Sequence, residues 1–287
     1  MPWLHILIRL KKCGLLLEKV VTLDASKATF KTIMDRNTYF QNRGTCRHFK
    51  DIDIADATIE DIAQQAMHAP NTGNMQLYSL VVIHNDGERR KRLNDAHFNQ
   101  PAAVGAPVLL TFCADLHRYT RWCSLNGADA GVDNIQALAW AWIDTALFAQ
   151  QFNTIAEMRG FGCCYLGTTT FNGKDIAEIL ELPSLVVPVT TLAFGVPDSA
   201  VSGEDRLDVS HIVHHDRYKE PKDAQISAAY KDKEDMDANR RFVQENGKEN
   251  LAQVYAEVRY PRAGNEAFSQ ALVEMFVRQG FSLPVHD

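Results

Sequence analysis

Residues 135–158 constrain the fold more than any other part of this chain. Only two charged side chains occur there, Asp144 and Glu157, and Ala137, Leu138, Ala139, Trp140, Ala141, Trp142 and Ile143 place apolar surface on every side of a helix. A helix that is apolar all round belongs either in a core or in a membrane. Gln136, Gln150, Gln151, Asn153 and Thr154 oppose the second choice, because each unpaired polar group in lipid is costly. The stretch predicts a central helix, partly covered by a second subunit, with Gly160 as its stop.

Around it, the pattern alternates. Residues 58–67 predict a helix, capped by Thr58 with Asp61 completing a capping box, and carrying Ile59, Ile62, Ala63, Ala66 and Met67 on one face. Pro70 ends it. Residues 77–83 and 108–113 read as buried strands, with a charged helix over 88–93 between them. After the central helix come a short strand (162–166), a helix (174–180) and an apolar run (186–194). Pro188 marks that run as an edge strand or a bulge. Strands interleaved with helices predict an α/β or α+β sandwich. Residues 220–249 mix Lys with Asp and Glu and read as a solvated arm. Residues 265–280 close the chain with an amphipathic helix carrying Phe268, Leu272, Met275 and Phe276.

The chain of 287 residues is 46% hydrophobic, enough for a large core. A net charge of −6 gives no reason to expect nucleic acid or an anionic membrane as partner. Local arginines can still bind a phosphate against that sign. Residues 1–21 are apolar but broken by Arg9, Lys11 and Lys12; they are too interrupted to span a bilayer and have the charge order of a signal peptide reversed. They read as part of an extension, 1–40, outside the core. The six cysteines form no C-x-x-C pair and read as buried thiols in a reducing cytoplasm. His211, His214 and His215 lack a carboxylate or cysteine at metal-site spacing, so no metal is expected.

Two segments carry chemistry. In Arg43-Gly44-Thr45-Cys46-Arg47-His48-Phe49, two arginines four apart flank a hydroxyl, a set that can grip a phosphate. The same pair also suits a plain surface. Ala69-Pro70-Asn71-Thr72-Gly73-Asn74-Met75-Gln76 is a polar loop that can offer amides to a planar heterocycle, or simply turn. Asn99-Gln100-Pro101, Gly105-Ala106-Pro107-Val108, the run Gly160-Phe161-Gly162-Cys163-Cys164-Tyr165-Leu166-Gly167-Thr168, Leu182-Pro183 and Ala193-Phe194-Gly195-Val196-Pro197 follow. In this order and spacing, over residues 42–197, these segments resemble the nitroreductase family.

The resemblance implies an α+β sandwich: a central mixed β-sheet flanked by helices, in an intertwined homodimer with FMN at the interface. It divides the chain into an extension (1–40), an FMN-binding domain (41–219) and a C-terminal helical arm (220–287). It assigns Arg43, Gly44, Thr45 and Arg47 to the phosphate and ribityl end, and Asn71, Asn74 and Gln76 to the flavin from the partner subunit. Gln100 is a further flavin contact, Tyr165, Leu166, Gly167 and Thr168 line the flavin through main-chain groups, and Arg206 reaches the phosphate. The chain departs from the pattern at Glu204, where a lysine is usual, and at Gly44-Thr45, where Arg-Ser is common. The implied activity is ping-pong hydride transfer from NADPH or NADH to a small-molecule acceptor: a nitroaromatic, a quinone or another flavin. The hydride step needs no acid or base, so no catalytic side chain is expected. Arg240 and Arg241 are candidates for a nicotinamide 2′-phosphate. A same-fold dehalogenase or dehydrogenase, and a non-catalytic flavin-binding protein, are the alternatives.

Overall fold

The structure is a computed structural model that describes residues 36–283 and two short paired strands, β1 (Ile6–Leu7) and β2 (Val20–Val21). The rest of the expected extension, Cys13 included, lies outside the described residues. The first helix, α1 (Arg36–Asn42), runs into the arginine motif, and α2 (Asp56–Ala66) follows. The main sheet consists of β3 (Tyr78–His84), β4 (Val108–Asp115), β5 (Gly162–Leu166) and β6 (Val186–Gly195), in the spatial order β3-β4-β6-β5. Helices α3 (Gly87–Ala96), α4 (Pro101–Gly105), α5 (His117–Leu125), α6 (Ile135–Met158) and α7 (Gly173–Ile179) connect the strands.

Every pairing in this sheet is antiparallel, where the family resemblance implied a mixed one. Parallel pairing among the described residues is confined to an isolated bridge from Asn134 to Ser282. Strand β4 is buried at every residue, which explains its unbroken apolar run. Along it, Val108, Leu110 and Phe112 face one way, toward α2 and α6, while Leu109 faces α3, α4 and α7. The sheet is thus covered on both faces. Phe112 meets Phe148 and Phe152 of α6 at 5.3 and 5.6 Å between ring centroids, and Phe152 meets Phe194 at 5.7 Å. These edge-to-face contacts seat α6 on the sheet.

One sequence expectation fails in detail and another resolves to its second alternative. Strand β6 is interior, and Pro188 marks a bulge rather than an edge. The register between β4 and β6 jumps at Phe112/Cys113, whose partners are Thr190 and Pro188, so a bulge absorbs the missing N–H. Helix α2 begins at Asp56, with Ala55 in the cap position, and the Thr58 N–H already donates to the Ala55 carbonyl at 2.9 Å. Thr58 therefore sits inside the first turn and caps nothing.

Helix α6 spans the predicted residues, capped by the Asn134 side chain on the Ala137 N–H at 3.1 Å. Arg159 closes it and Gly160 follows at φ +86°, the left-handed turn that glycine favours. It is not buried on every side in the single chain. Gln136, Ala139, Trp140, Ile143, Ala146, Leu147, Gln150 and Gln151 form one exposed stripe, apolar in its middle and polar at its ends.

The C-terminal part holds α8 (Asp223–Asp235), α9 (Asp237–Glu245), α10 (Leu251–Gln253), a π-helical turn (Val254–Arg259) and α11 (Arg262–Arg278). Helices α8 and α9 bury no residue, as a solvated arm requires. Helix α11 returns to the body: Met275 is buried and Phe268 stacks on Phe171 at 4.1 Å. No described helix is long and apolar enough to cross a membrane.

Candidate functional site

The arginine motif docks along one end of the sheet. The Cys46 N–H donates to the Cys163 carbonyl of β5 at 3.0 Å, the Lys50 N–H to Val196 at 2.8 Å, and the Asp198 N–H to His48 at 3.1 Å. This places residues 43–49 between β5 and the segment that leaves β6. Glycine is essential to the fit. A Cβ on Gly162 would stand 2.5 Å from the Cys46 Sγ, and one on Gly44 would stand 1.9 Å from the Ser202 carbonyl oxygen. Residues 201–204 therefore lie against the motif's main chain.

The two arginines differ in environment. Arg43 is drawn inward: its Nη2 stands 3.2 Å from Glu157 Oε1 and its Nε donates to Oε2 at 3.3 Å. Glu157 is 9% exposed and also accepts from the Tyr39 hydroxyl of α1 at 2.6 Å. Burial, reinforced by that carboxylate, pushes the Tyr39 phenol well above its ordinary value. Arg47 stays at the surface, 3.4 Å from Glu204. Arg206 is exposed and donates to the Asp205 carbonyl at 2.7 Å, and Asp205 pairs with Lys233 of α8 at 2.9 Å. A cavity of about 300 Å³ opens beside the motif, lined by Tyr39, Arg43, Cys46, Glu157, Cys163 and Val201. Burial pushes the Cys46, Cys163 and Cys164 thiols up, which makes them poor nucleophiles. A larger recess of about 810 Å³ lies elsewhere, beside Asp51, Asp53, Asp56 and Asp86; its charge opposes a phosphate.

Tyr165 to Thr168 form the end of β5 and the turn after it. Gly167 is exposed, and a Cβ there would meet nothing within 4 Å, so the main chain at this turn is open to a ligand. Thr168 is buried and its Oγ1 lies 2.8 Å from Nδ1 of His97, which is fully buried. The Gln100 N–H donates to the His97 carbonyl at 3.2 Å. One buried histidine thereby links Gln100, in front of α4, to the β5 turn. The sequence offered no signal for it beyond its place before Asn99-Gln100-Pro101.

Burial, with Arg90 nearby, lowers the His97 pKa from 6.5 to about 4. The unfolded chain therefore takes up a proton below pH 6.5 that the folded chain refuses. Stability from this group is complete above pH 6.5 and is lost as pH falls toward 4, by about 3 kcal/mol in all. His97→Gln removes the titration. Denaturant melts of both proteins between pH 7 and 4 should show the wild-type curve falling away from the variant's; parallel curves would refute this origin.

The 71–76 loop lies on a different part of α6. The buried Asp144 accepts from the Thr72 N–H at 2.8 Å and the Thr72 hydroxyl at 2.9 Å. The Asn71 side chain accepts from the Gln76 N–H at 3.3 Å, and Arg118 clamps the loop's exit through the Gln76 and Tyr78 carbonyls. Asn74 and Gln76 both have positive φ, near +55°, a conformation held here by these contacts. Asp144 and Glu157, thirteen residues apart on one helix, place the loop and the arginine motif about 20 Å apart along its axis. One chain thus sets Arg43, Thr45, Arg47 and Arg206 near the start of β5 and Gln100 and Thr168 at the turn after its other end, with Asn71, Asn74 and Gln76 away from the motif. In the arm, Arg240 pairs with Asp235 at 3.0 Å.

This arrangement has relatives. A nitroreductase family model matches residues 40–196. The oxygen-insensitive NADPH nitroreductase of Salmonella typhimurium is 30% identical over 184 residues, covering 64% of this chain and 74% of that protein. An FMN reductase [NAD(P)H] of Bacillus subtilis is 26% identical over 246 residues, 83% of this chain and 94% of that one. A crystal structure from Bacteroides fragilis, described only as an oxidoreductase, is 41% identical with a TM-score of 0.82, over 84% of this chain and 98% of its own.

Proposed function

Because this chain belongs to the nitroreductase family, we propose that it is an FMN-dependent NAD(P)H oxidoreductase that works as a homodimer and reduces small electron-poor acceptors such as nitroaromatics, quinones or flavins. The observation that carries this reading is the docking of residues 43–49 against the start of β5, with residues 201–204 alongside them and the turn after β5 open at the other end of that strand. The residues present fit the cofactor. Arg47 and Arg206 are exposed guanidinium donors, Thr45 adds a hydroxyl, and the Gly167 turn leaves main-chain groups open. Arg43, tied to Glu157, serves better to brace the motif than to grip a phosphate directly.

FMN held here would supply the two-electron redox chemistry between nicotinamide and acceptor. This chain's residues hold and orient. Arg47, Arg206 and Thr45 bind the phosphate end. His97 fixes Thr168 and so the turn that lines the ring. Asp144 fixes the loop that offers Asn71, Asn74 and Gln76. The distance between that loop and the motif favours a site shared by two copies, with the exposed stripe of α6 as the contact between them. A closed interface of this kind also keeps water from the reacting face.

Purified protein should be yellow, and its visible bands should bleach on adding NADPH or NADH and return with menadione. Arg47→Ala should weaken FMN binding by about tenfold, the value of one lost charge-assisted hydrogen bond. Colourless protein that gains no flavin bands with added FMN would defeat the reading. A protein that binds FMN but oxidises NAD(P)H no faster than free flavin would be a binding protein instead.

A further inference from the structure

We propose that Glu204 sets the selectivity of the site for phosphorylated over unphosphorylated flavin, because its carboxylate stands on Arg47 where the flavin phosphate must bind. The inference rests on the FMN reading above and goes beyond it. Three observations carry it. Arg47 is the exposed arginine of the motif, and it pairs with Glu204 at 3.4 Å, with the two side chains 57% and 46% exposed. A long contact in solvent is weak and exchangeable, unlike the buried Arg43–Glu157 pair. The approach is also built into the main chain. A Cβ on Gly44 would stand 1.9 Å from the Ser202 carbonyl oxygen, so the chain at 201–203 runs along the motif, and the Lys233–Asp205 pair pins the residue after Glu204. Glu204 is thereby delivered to Arg47 rather than left to find it.

The charge balance follows. Around the phosphate end stand four cations, Arg43, Arg47, Arg206 and Lys233, and three carboxylates, Glu157, Glu204 and Asp205. A phosphate dianion arriving there must displace Glu204 and then remain near its charge. Riboflavin, which lacks the phosphate, meets no such competition. The chain should therefore favour FMN over riboflavin only modestly.

The test uses flavin-stripped protein titrated with FMN and with riboflavin, read by quenching of flavin fluorescence. Wild type should prefer FMN by about tenfold or less; Glu204→Gln should tighten FMN about fivefold and Glu204→Lys about 25-fold, one factor of five for each unit of charge, with riboflavin unchanged within about twofold. Glu204 is exposed, so both variants should keep the wild-type melting temperature. An FMN-to-riboflavin ratio equal in all three proteins would overturn the inference and leave the flavin reading standing. Failure of all three to bind either flavin would defeat both.

Discussion

Replacing Ile143 with aspartate is expected to give a folded, colourless monomer. Ile143 lies at the centre of the exposed stripe of α6 and is 57% exposed in the single chain. The substitution therefore costs the fold little, and far-UV circular dichroism should be unchanged. Between two copies the cost is large. A twofold contact presents each substitution twice. Each copy loses about 1.5–3 kcal/mol of isoleucine burial, and each carboxylate must be desolvated besides. Dimer affinity should fall by at least about 1,000-fold, which corresponds to roughly 4 kcal/mol. Ile143→Val should remain dimeric and yellow. Sedimentation with absorbance at the flavin band reads both properties together. An aspartate variant that stays dimeric with its flavin would mean that this stripe is not the contact.

The second large effect concerns stability. Arg90 is 2% exposed, and its hydrogen-bond partners are the Ala103, Ala106 and Ile83 carbonyls, at 2.6, 2.7 and 3.3 Å, and the Asn94 side chain at 3.0 Å. No ion pair reaches it among the described residues. Burial lowers its pKa to about 10, so at neutral pH the charge is held at a cost of about 3 kcal/mol. Arg90→Ala recovers that cost. It also strands three carbonyl oxygens at about 1–3 kcal/mol each and leaves a cavity worth about 2 kcal/mol more. The net loss should be about 4 kcal/mol, a fall in melting temperature of roughly 10–15 °C. A melt within about 3 °C of wild type would show that water replaces the guanidinium.

Legibility followed the range of the interactions. The bounds of α6 and β5 were readable because an apolar run and a glycine stop are local signals. Pro188 left an edge or a bulge open because that choice depends on which strands lie beside it, and the bulge is set against β4, more than seventy residues earlier. The motif's segments were legible as a group, but the division of labour between the arginines was not. Arg43 and Glu157 are 114 residues apart in sequence, and Arg47 and Glu204 are 157 apart. One signal was available and unused: two carboxylates in an otherwise apolar helix must each find a buried partner. Asp144 found Thr72 and Glu157 found Arg43 and Tyr39. The sequence predicted a central helix partly under a second subunit, and one chain leaves a stripe of α6 exposed.

Those two carboxylates turn α6 into a ruler. The thirteen-residue interval from Asp144 to Glu157 fixes both the spacing and the relative bearing of the loop and the arginine motif. Inserting one residue within it would turn Glu157 by about 100° and carry it about 1.5 Å farther, off Arg43. Side chains along this interval can drift in size and polarity while the fold persists. Its length cannot, so in descendants of this chain the helix should accept substitutions and reject insertions or deletions.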